Sequence, residues 1–136
     1  MDKKIYRIID ANLNRCCEGL RVVEEIARLY LDDKKLSSSI KKMRHQVSKI
    51  ALDWLEQDKL IQNRDSQKDV GAKLTSGLEK KRGSLKEIVR ANLRRSQEAL
   101  RVLEELSKLI EPKVAEKFKD LRFKVYSLEK KILISL

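Results

Sequence analysis

Proline, glycine and aromatic residues are scarce in this chain of 136 residues, which has one proline, four glycines and 4% aromatic residues. Leucine, isoleucine, lysine, glutamate and arginine are abundant instead, and this usage is typical of helices rather than strands. The composition therefore disfavours an all-β protein and predicts an all-α fold. Because the length suits one domain with one core, we expect residues 1–136 to form a single helical domain.

Long apolar runs, histidine clusters and cysteine motifs are missing as well. Without a long apolar run we expect neither a signal peptide nor a membrane span. Cys16 and Cys17 are adjacent, so on a helix their side chains diverge by about 100° and cannot easily bridge each other. One histidine and no Cys-x-x-Cys motif disfavour a zinc or iron–sulfur site. These absences predict a cytoplasmic protein with reduced thiols.

Acidic residues are fewer than basic ones: the chain has 21 aspartates and glutamates but 32 lysines and arginines, which gives a net charge of +11. Such an excess indicates either an anionic partner or a well-solvated lysine-rich surface. Nucleic-acid binding usually adds aromatic stacking platforms, whereas the few aromatic residues here are scattered. We therefore do not expect a nucleic-acid partner.

The chain contains an internal repeat. Residues 9–29 align without a gap on residues 89–109, and a weaker match follows at an offset of 78 residues. Apolar residues recur at helical spacing throughout both copies, so each half is predicted to be a helical hairpin. The identical positions of the first match are Ala11, Asn12, Leu13, Arg15, Glu18, Leu20, Arg21, Val22, Glu24, Glu25 and Leu29, each with its partner 80 residues on.

The repeat predicts a four-helix bundle made of two hairpins joined by a long crossover. We place its helices near residues 4–31, 34–60, 84–110 and 113–135, with hairpin turns at Asp32–Asp33 and Glu111–Pro112. Repeat 1 covers about 4–60, the crossover about 61–83 and repeat 2 about 84–136. The crossover is too long for a simple bundle loop, so it is either a linker, with a short helix near Leu78 to Lys81, or a segment that covers a ligand.

Two asparagines lie inside the apolar stripes of the first and third helices. Asn12 and Asn92 occupy the same position in the two repeats, and a buried amide needs hydrogen-bond partners. Either they tie helices together or they bind a ligand. Arg15 and Arg95 sit beside them at the edge of each stripe, and we expect these four side chains to line one pseudo-symmetric pocket.

Two further arginines, Arg44 and Arg122, flank the apolar stripes of the second and fourth helices. They could pair with Glu24 and Glu104, or they could clamp an anion. His45 falls opposite its helix's apolar stripe, which disfavours a catalytic histidine.

Several separated motifs resemble a known family. The strings IDANLNRCCEGLRVVEEIARL, MRHQV, RDSQKDVG, ANLRRSQEALRVLEELSKL and LRFKVYSLE occur in this order. They resemble, across nearly the whole chain, the monofunctional hydroxymethylpyrimidine-phosphate kinases of thiamine biosynthesis, which occur alone or fused to the front of thiamine-phosphate synthase. The resemblance implies transfer of the ATP γ-phosphate to 4-amino-5-hydroxymethyl-2-methylpyrimidine phosphate, giving the pyrophosphate. Cys16–Cys17 depart from the family, which more often has small or charged residues there.

Phosphoryl transfer of this kind needs cations around the phosphates and carboxylates for magnesium. Asn12 or Asn92 could recognise the pyrimidine, because an amide offers both a donor and an acceptor. The candidate catalytic residues are Arg15, Arg95 and Arg82. Further candidate phosphate ligands are Arg64, Arg44 and Arg122, and the candidate magnesium ligands are Asp65 and Asp69.

The expected ligands are therefore a phosphorylated pyrimidine and ATP with Mg²⁺. The chain lacks a P-loop or a protein-kinase signature, so the sequence does not disclose how ATP would bind. One alternative is a non-catalytic binding or regulatory module that partners thiamine-phosphate synthase. Another is a basic protein that binds RNA or a membrane surface. No synthase barrel follows in this chain, and a small amphipathic bundle could also form a homodimer.

Overall fold

Four long helices dominate the computed structural model, which describes residues 2–74 and 77–136. They are α1 (Lys3–Glu25), α2 (Lys34–Trp54), α5 (Leu85–Ser107) and α6 (Pro112–Ser135), with the short α3 (Gln57–Gln62) and α4 (Gly77–Lys80) between the halves. A π-helical turn, Ile26–Tyr30, extends α1. The described residues include no β-strand. The predicted all-α bundle of two hairpins joined by a crossover is confirmed.

Capping side chains fix the two hairpin turns where the sequence predicted them. The carboxylate of Asp33 accepts a hydrogen bond from the Leu36 N–H (2.9 Å) at the start of α2. In the second hairpin Glu111 caps α6 and Pro112 occupies its first turn. Both arrangements satisfy or remove N–H groups that would otherwise lack a partner at a helix N-terminus.

The second helix ends earlier than predicted. Instead of one helix over 34–60, α2 stops at Trp54, Leu55 is extended (φ −117°, ψ 145°), and α3 follows. The bend allows Leu55 and Leu60 both to reach the core, where they are 7% and 3% exposed. This turn sends the chain back towards α1, against which α3 packs. In the crossover, α4 (Gly77–Lys80) begins and ends one residue before the short helix predicted at Leu78 to Lys81.

The core lies between the α1–α5 pair and the α2–α6 pair. Helix α1 packs extensively on α5 and α2, and α5 packs on α6, whereas α2 and α6 contact each other only sparsely. The apolar stripe predicted for the first helix faces this core. Its members Ile9, Cys16, Leu20, Val23 and Ala27 are at most 1% exposed.

Counterpart positions of the two repeats meet where α1 packs on α5, as they would across an approximate two-fold axis between these helices. The Ser96 hydroxyl donates to the carbonyl of Cys16 (3.0 Å), and these two positions are counterparts in the repeat. Nearby, Gly19 faces Asn92 so closely that an added Cβ would lie 2.6 Å from the Asn92 carbonyl oxygen. The counterpart of Gly19 is Ala99, so the close approach has no equivalent on the other side of the axis.

Among the described helices, none is long and apolar enough to span a bilayer.

Candidate functional site

A cavity of about 510 Å³ lies between α1 and the first part of the crossover. We call it the N-terminal cavity. Its basic lining residues are Lys4, Arg7, Arg15, Arg64 and Lys68, and its acidic lining residues are Asp10, Asp65 and Asp69. With five basic and three acidic side chains, it attracts anions.

A second cavity of about 500 Å³ lies over the axis between α1 and α5, and the crossover borders it through Asp69, Gly71, Ala72, Leu74 and Glu79. We call it the axial cavity. Arg15 and Arg95 contribute to its lining, together with Glu98 and Ala99 from α5. The two cavities share Asn12, Arg15 and Asp69. These three side chains therefore mark the junction of one continuous groove.

Asn12 and Asn92 make the same hydrogen bond within their own helices, but only Asn12 lines the cavities. Asn12 donates through Nδ2 to the carbonyl of Ile8 (2.9 Å), and Asn92 donates to that of Ile88 (2.8 Å). The hydrogen bonds that the structure describes for these two side chains therefore stay within their own helices. Asn12 lines both cavities, whereas Asn92 lines neither.

The contact at Gly19 explains why Asn12 lines the cavities and Asn92 does not. On the Asn92 side of the axis, the absent side chain of Gly19 lets the helix backbones close on each other. On the Asn12 side the counterpart is Ala99, whose methyl group lines the axial cavity. The expected pocket with four repeated side chains is therefore corrected to one containing Asn12, Arg15 and Arg95.

Two contacts fasten the crossover to α1. Nε and Nη2 of Arg64 donate to the two carboxylate oxygens of Asp10 at 2.7 and 2.6 Å, and the Asp10 side chain is only 8% exposed. Arg7 donates to the backbone carbonyl of Asp65 (2.7 Å). The hydrogen bond to Asp10 raises the pKa of Arg64. Although Arg64 borders the N-terminal cavity, two of its donors already serve this anchor, so its main observed role differs from the predicted phosphate contact.

Arg44 and Arg122 lie away from both cavities. Arg44 donates to Glu24 (3.1 Å) and Arg122 donates to Glu104 (3.3 Å), and both glutamate side chains are 4% exposed. Of the two predicted alternatives, the ion pairs are confirmed, and these arginines join the helices of each hairpin. Arg82 is exposed beyond α4 and likewise borders neither cavity.

Both predicted magnesium ligands border the N-terminal cavity. Asp69 accepts a hydrogen bond from the Gly71 N–H (2.9 Å), and Asp65 accepts one from the Lys68 N–H (3.2 Å). In the described part of the chain, no three His, Cys, Asp or Glu side chains are placed to form a complete metal cage. A pair of carboxylates still matches the usual donor set for magnesium, which takes its remaining ligands from phosphates and water.

Sequence reasoning missed Glu98 in the axial cavity and Arg7 and Asp10 in the N-terminal cavity. On a helical wheel Glu98, like its counterpart Glu18, points away from the apolar stripe, which is typical of a surface residue. The Glu98 side chain is exposed, and the crossover residues Gly71, Ala72 and Leu74 border the same cavity. Its position three residues after Arg95 was the available signal, because residues three apart on a helix are neighbours.

Comparison with known proteins identifies the family. The family model described as the ThiD2 family matches residues 7–131. The chain belongs to the ThiD2 family. The match runs from the first part of α1 through most of α6 and includes every lining residue of the two cavities except Lys4.

Several curated proteins are similar to this chain over nearly the whole length of the chain. A protein from Nostoc punctiforme is 42% identical over 129 residues, and one from Synechocystis is 44% identical over 129 residues; both are named thiamine-phosphate synthase. A protein of the same name from Rhodopirellula baltica is 36% identical over 125 residues. The matches cover 95%, 95% and 92% of this chain but only 35%, 36% and 33% of the relatives. The chain thus spans about a third of their length. No solved structure matches.

Proposed function

We propose that this protein is a kinase of thiamine biosynthesis, which transfers the γ-phosphate of ATP to 4-amino-5-hydroxymethyl-2-methylpyrimidine phosphate and forms the pyrophosphate. The observation that carries the proposal is the pair of similar cavities that meet at Asn12, Arg15 and Asp69. A two-substrate reaction needs two neighbouring sites with charge-neutralising groups where they meet. Membership of the ThiD2 family and the name of the relatives support the link to thiamine.

The charges suggest which substrate suits which cavity. In the N-terminal cavity five basic side chains outnumber three acidic ones, and the excess that remains after Arg64 pairs with Asp10 and Lys68 with Asp65 suits the triphosphate of ATP. The axial cavity is acidic on balance, since its two arginines, Arg15 and Arg95, stand beside three carboxylates, those of Asp69, Glu79 and Glu98. It suits a ring that carries an amino group and one phosphate. There the carboxylate of Glu98 can accept from the amino group, and the carboxamide of Asn12 can pair with the ring edge.

The chemistry at the junction requires positioning more than base catalysis. The acceptor is a phosphate oxygen, which is already anionic at neutral pH, so no strong general base is needed. Arg15 borders both cavities and can neutralise the group in transfer, while Arg95 can hold the acceptor phosphate. Asp69, together with Asp65, would hold Mg²⁺, which neutralises phosphate charge when bound. The Asp10–Arg64 anchor holds the start of the crossover against α1, beside the groove.

A coupled assay of ADP release with the pyrimidine monophosphate and with the unphosphorylated alcohol tests this proposal. We expect magnesium-dependent ADP release that prefers the monophosphate. Arg15→Ala and Asp69→Ala should each lower turnover by about 10²-fold or more, because each removes a charge contact with the transferring group. Arg94→Ala is the matched control: Arg94 is exposed on α5 next to Arg95 but borders neither cavity. Wild-type turnover in the first two variants, with an intact helical circular-dichroism signal, would remove these residues from the site.

The alternative of a non-catalytic module rests on the length of the relatives. They are nearly three times as long as the matched segment and are named for the synthase reaction. Tight binding of the pyrimidine monophosphate without any ADP release would favour this alternative. ADP release by the isolated chain would exclude it.

A further inference from the structure

A groove runs along the face of the bundle opposite the candidate site. It consists of a cavity of about 510 Å³ and one of about 290 Å³ between α2 and α6, which share Gln46 and Lys124. Leu36 and Ser135 line one end, while Asp53 and Lys117 line the other, so the two helices run antiparallel along it. The groove exists because α2 and α6 make few contacts with each other. Neither helix contributes to the N-terminal or the axial cavity.

Lysines form two regular rows along the rims. They lie seven residues apart on each helix, at Lys35, Lys42 and Lys49 on α2 and at Lys117, Lys124 and Lys131 on α6. All six are exposed. Seven residues are two helical turns, so each row keeps to one side of its helix over about 21 Å.

Apolar side chains form the floor between the rows. Leu36 and Met43 on α2 and Leu121 and Leu128 on α6 line the groove, and Ile50 extends the α2 series. Leu36, Met43 and Ile50 are also seven residues apart, as are Leu121 and Leu128. The leucines and Met43 belong to the bundle core and are at most 9% exposed, so the groove offers their outer edges, flanked by charges at the heptad spacing that is typical of coiled coils.

We propose that the α2–α6 groove docks an acidic amphipathic helix of another protein. Its apolar stripe would lie on the floor, and its carboxylates would face the two lysine rows. Charge favours an acidic helix over a second copy of this chain as the occupant. Six lysines and three aspartates line the groove, so the lining has a net charge of +3. Two copies placed groove to groove would bring their lysine rows together, and these would repel each other. A compact anion would need only one cluster of lysines, whereas these rows extend along most of both helices.

The three aspartates that line the groove do not offset the positive charge of the lysine rows evenly along its length. Asp33 lies at the start of α2, where its carboxylate caps the helix, and Asp53 and Asp120 lie in the smaller cavity. The charge excess is therefore greatest in the larger cavity, which has four lysines and one aspartate. The acidic residues of the partner are expected to contribute most there.

The test uses the full chain and a synthetic helix of three heptads, labelled with fluorescein, with leucine on its seam and glutamate on both flanks. We expect anisotropy titrations to show micromolar binding that weakens with salt, while a peptide with lysine flanks does not bind. The variant Lys42→Glu/Lys124→Glu should weaken binding by about tenfold or more, since each change replaces an attraction with a repulsion. The matched variant Lys41→Glu/Lys130→Glu alters exposed lysines outside the groove and lowers the net charge equally. It should weaken binding by less than about threefold.

Equal losses in the two variants would overturn the proposal, because binding would then reflect net charge alone. No binding of the acidic helix would overturn it as well. Vesicles containing phosphatidylserine are a separate arm: if they retain the protein through Lys42 and Lys124 while the helix does not bind, the groove serves a membrane surface instead. Kinase turnover is measured in parallel, and we expect it to be unchanged in both variants, which separates this proposal from the proposed function.

Discussion

Replacing Gly19 with alanine probes the contact that makes the two sides of the axis different. A Cβ at this position would lie 2.6 Å from the carbonyl oxygen of Asn92 and would also meet the hydroxyl of Ser96. The Ser96 side chain can rotate, but the Asn92 carbonyl is part of the α5 backbone. Since ordinary contacts begin near 3.4 Å, the two helices must separate by about 3.4 − 2.6 = 0.8 Å.

The expected cost combines three effects. Overpacking a close helix contact costs about 1–3 kcal/mol. Rotation of Ser96 would also forfeit its hydrogen bond to the Cys16 carbonyl, which contributes about 1 kcal/mol. The better helix propensity of alanine offsets about 1 kcal/mol. We therefore expect Gly19→Ala to lower the free energy of unfolding by about 1–3 kcal/mol.

Urea unfolding, followed by circular dichroism at the helical band, measures this difference if the slope with denaturant stays constant. The matched control is Ala99→Gly, the reciprocal change at the counterpart position. It creates no clash and should cost about 1–2 kcal/mol through helix propensity and the loss of a buried methyl group. If Gly19→Ala is as stable as the parent or more stable, the helices do not approach as closely as described here.

Three further perturbations test the contacts around the site. Asp10→Asn should cost about 1–2 kcal/mol and speed amide hydrogen exchange around Arg64, because it removes the charge that anchors the crossover; unchanged exchange would contradict the anchor. Arg44→Met should cost about 1–3 kcal/mol, because the buried Glu24 carboxylate then keeps only its longer contact with Arg21 (3.4 Å), yet leave the KM for the phosphopyrimidine within about twofold; a large rise in KM would restore the anion-clamp interpretation. Burial raises the pKa of both thiols, so at pH 8 a thiol reagent should label Cys17 more slowly than a free cysteine and Cys16 only after unfolding; prompt labelling of Cys16 would contradict its burial.

The architecture could be predicted because its signals are local. Apolar spacing, the repeat and the capping residues Asp33 and Pro112 each depend on a few neighbouring residues. The break at Leu55 had no such signal, since neither glycine nor proline is present there and the apolar spacing continues. It arises from tertiary packing, because the extended Leu55 turns the chain so that Leu60 reaches the core.

The candidate site could be predicted only in part for the same reason. A helical wheel was enough to turn Asn12 and Arg15 inward, because both lie on a regular helix. The path of the crossover has no period, so the wheel could not reveal that the crossover passes beside Glu98. Nor could composition show that Arg64 reaches Asp10, which lies 54 residues away in the sequence.

The broken symmetry leads to one last prediction, which rests on the proposed function. A perfect repeat would offer two equivalent pockets, one beside Asn12 and one beside Asn92. Gly19 closes the Asn92 side by letting the helices touch, and the crossover covers the Asn12 side alone.

We therefore expect one binding site per chain for the pyrimidine monophosphate, measured by isothermal titration calorimetry. Asn12→Ala should weaken binding by about tenfold, because it removes a two-sided hydrogen-bond partner of the ring. Asn92→Ala, which removes the same amide from the counterpart position, should leave the affinity within about twofold because that amide touches neither cavity. Two sites of similar affinity, or equal losses in the two variants, would mean that both halves of the repeat bind ligand and that the crossover does not distinguish them.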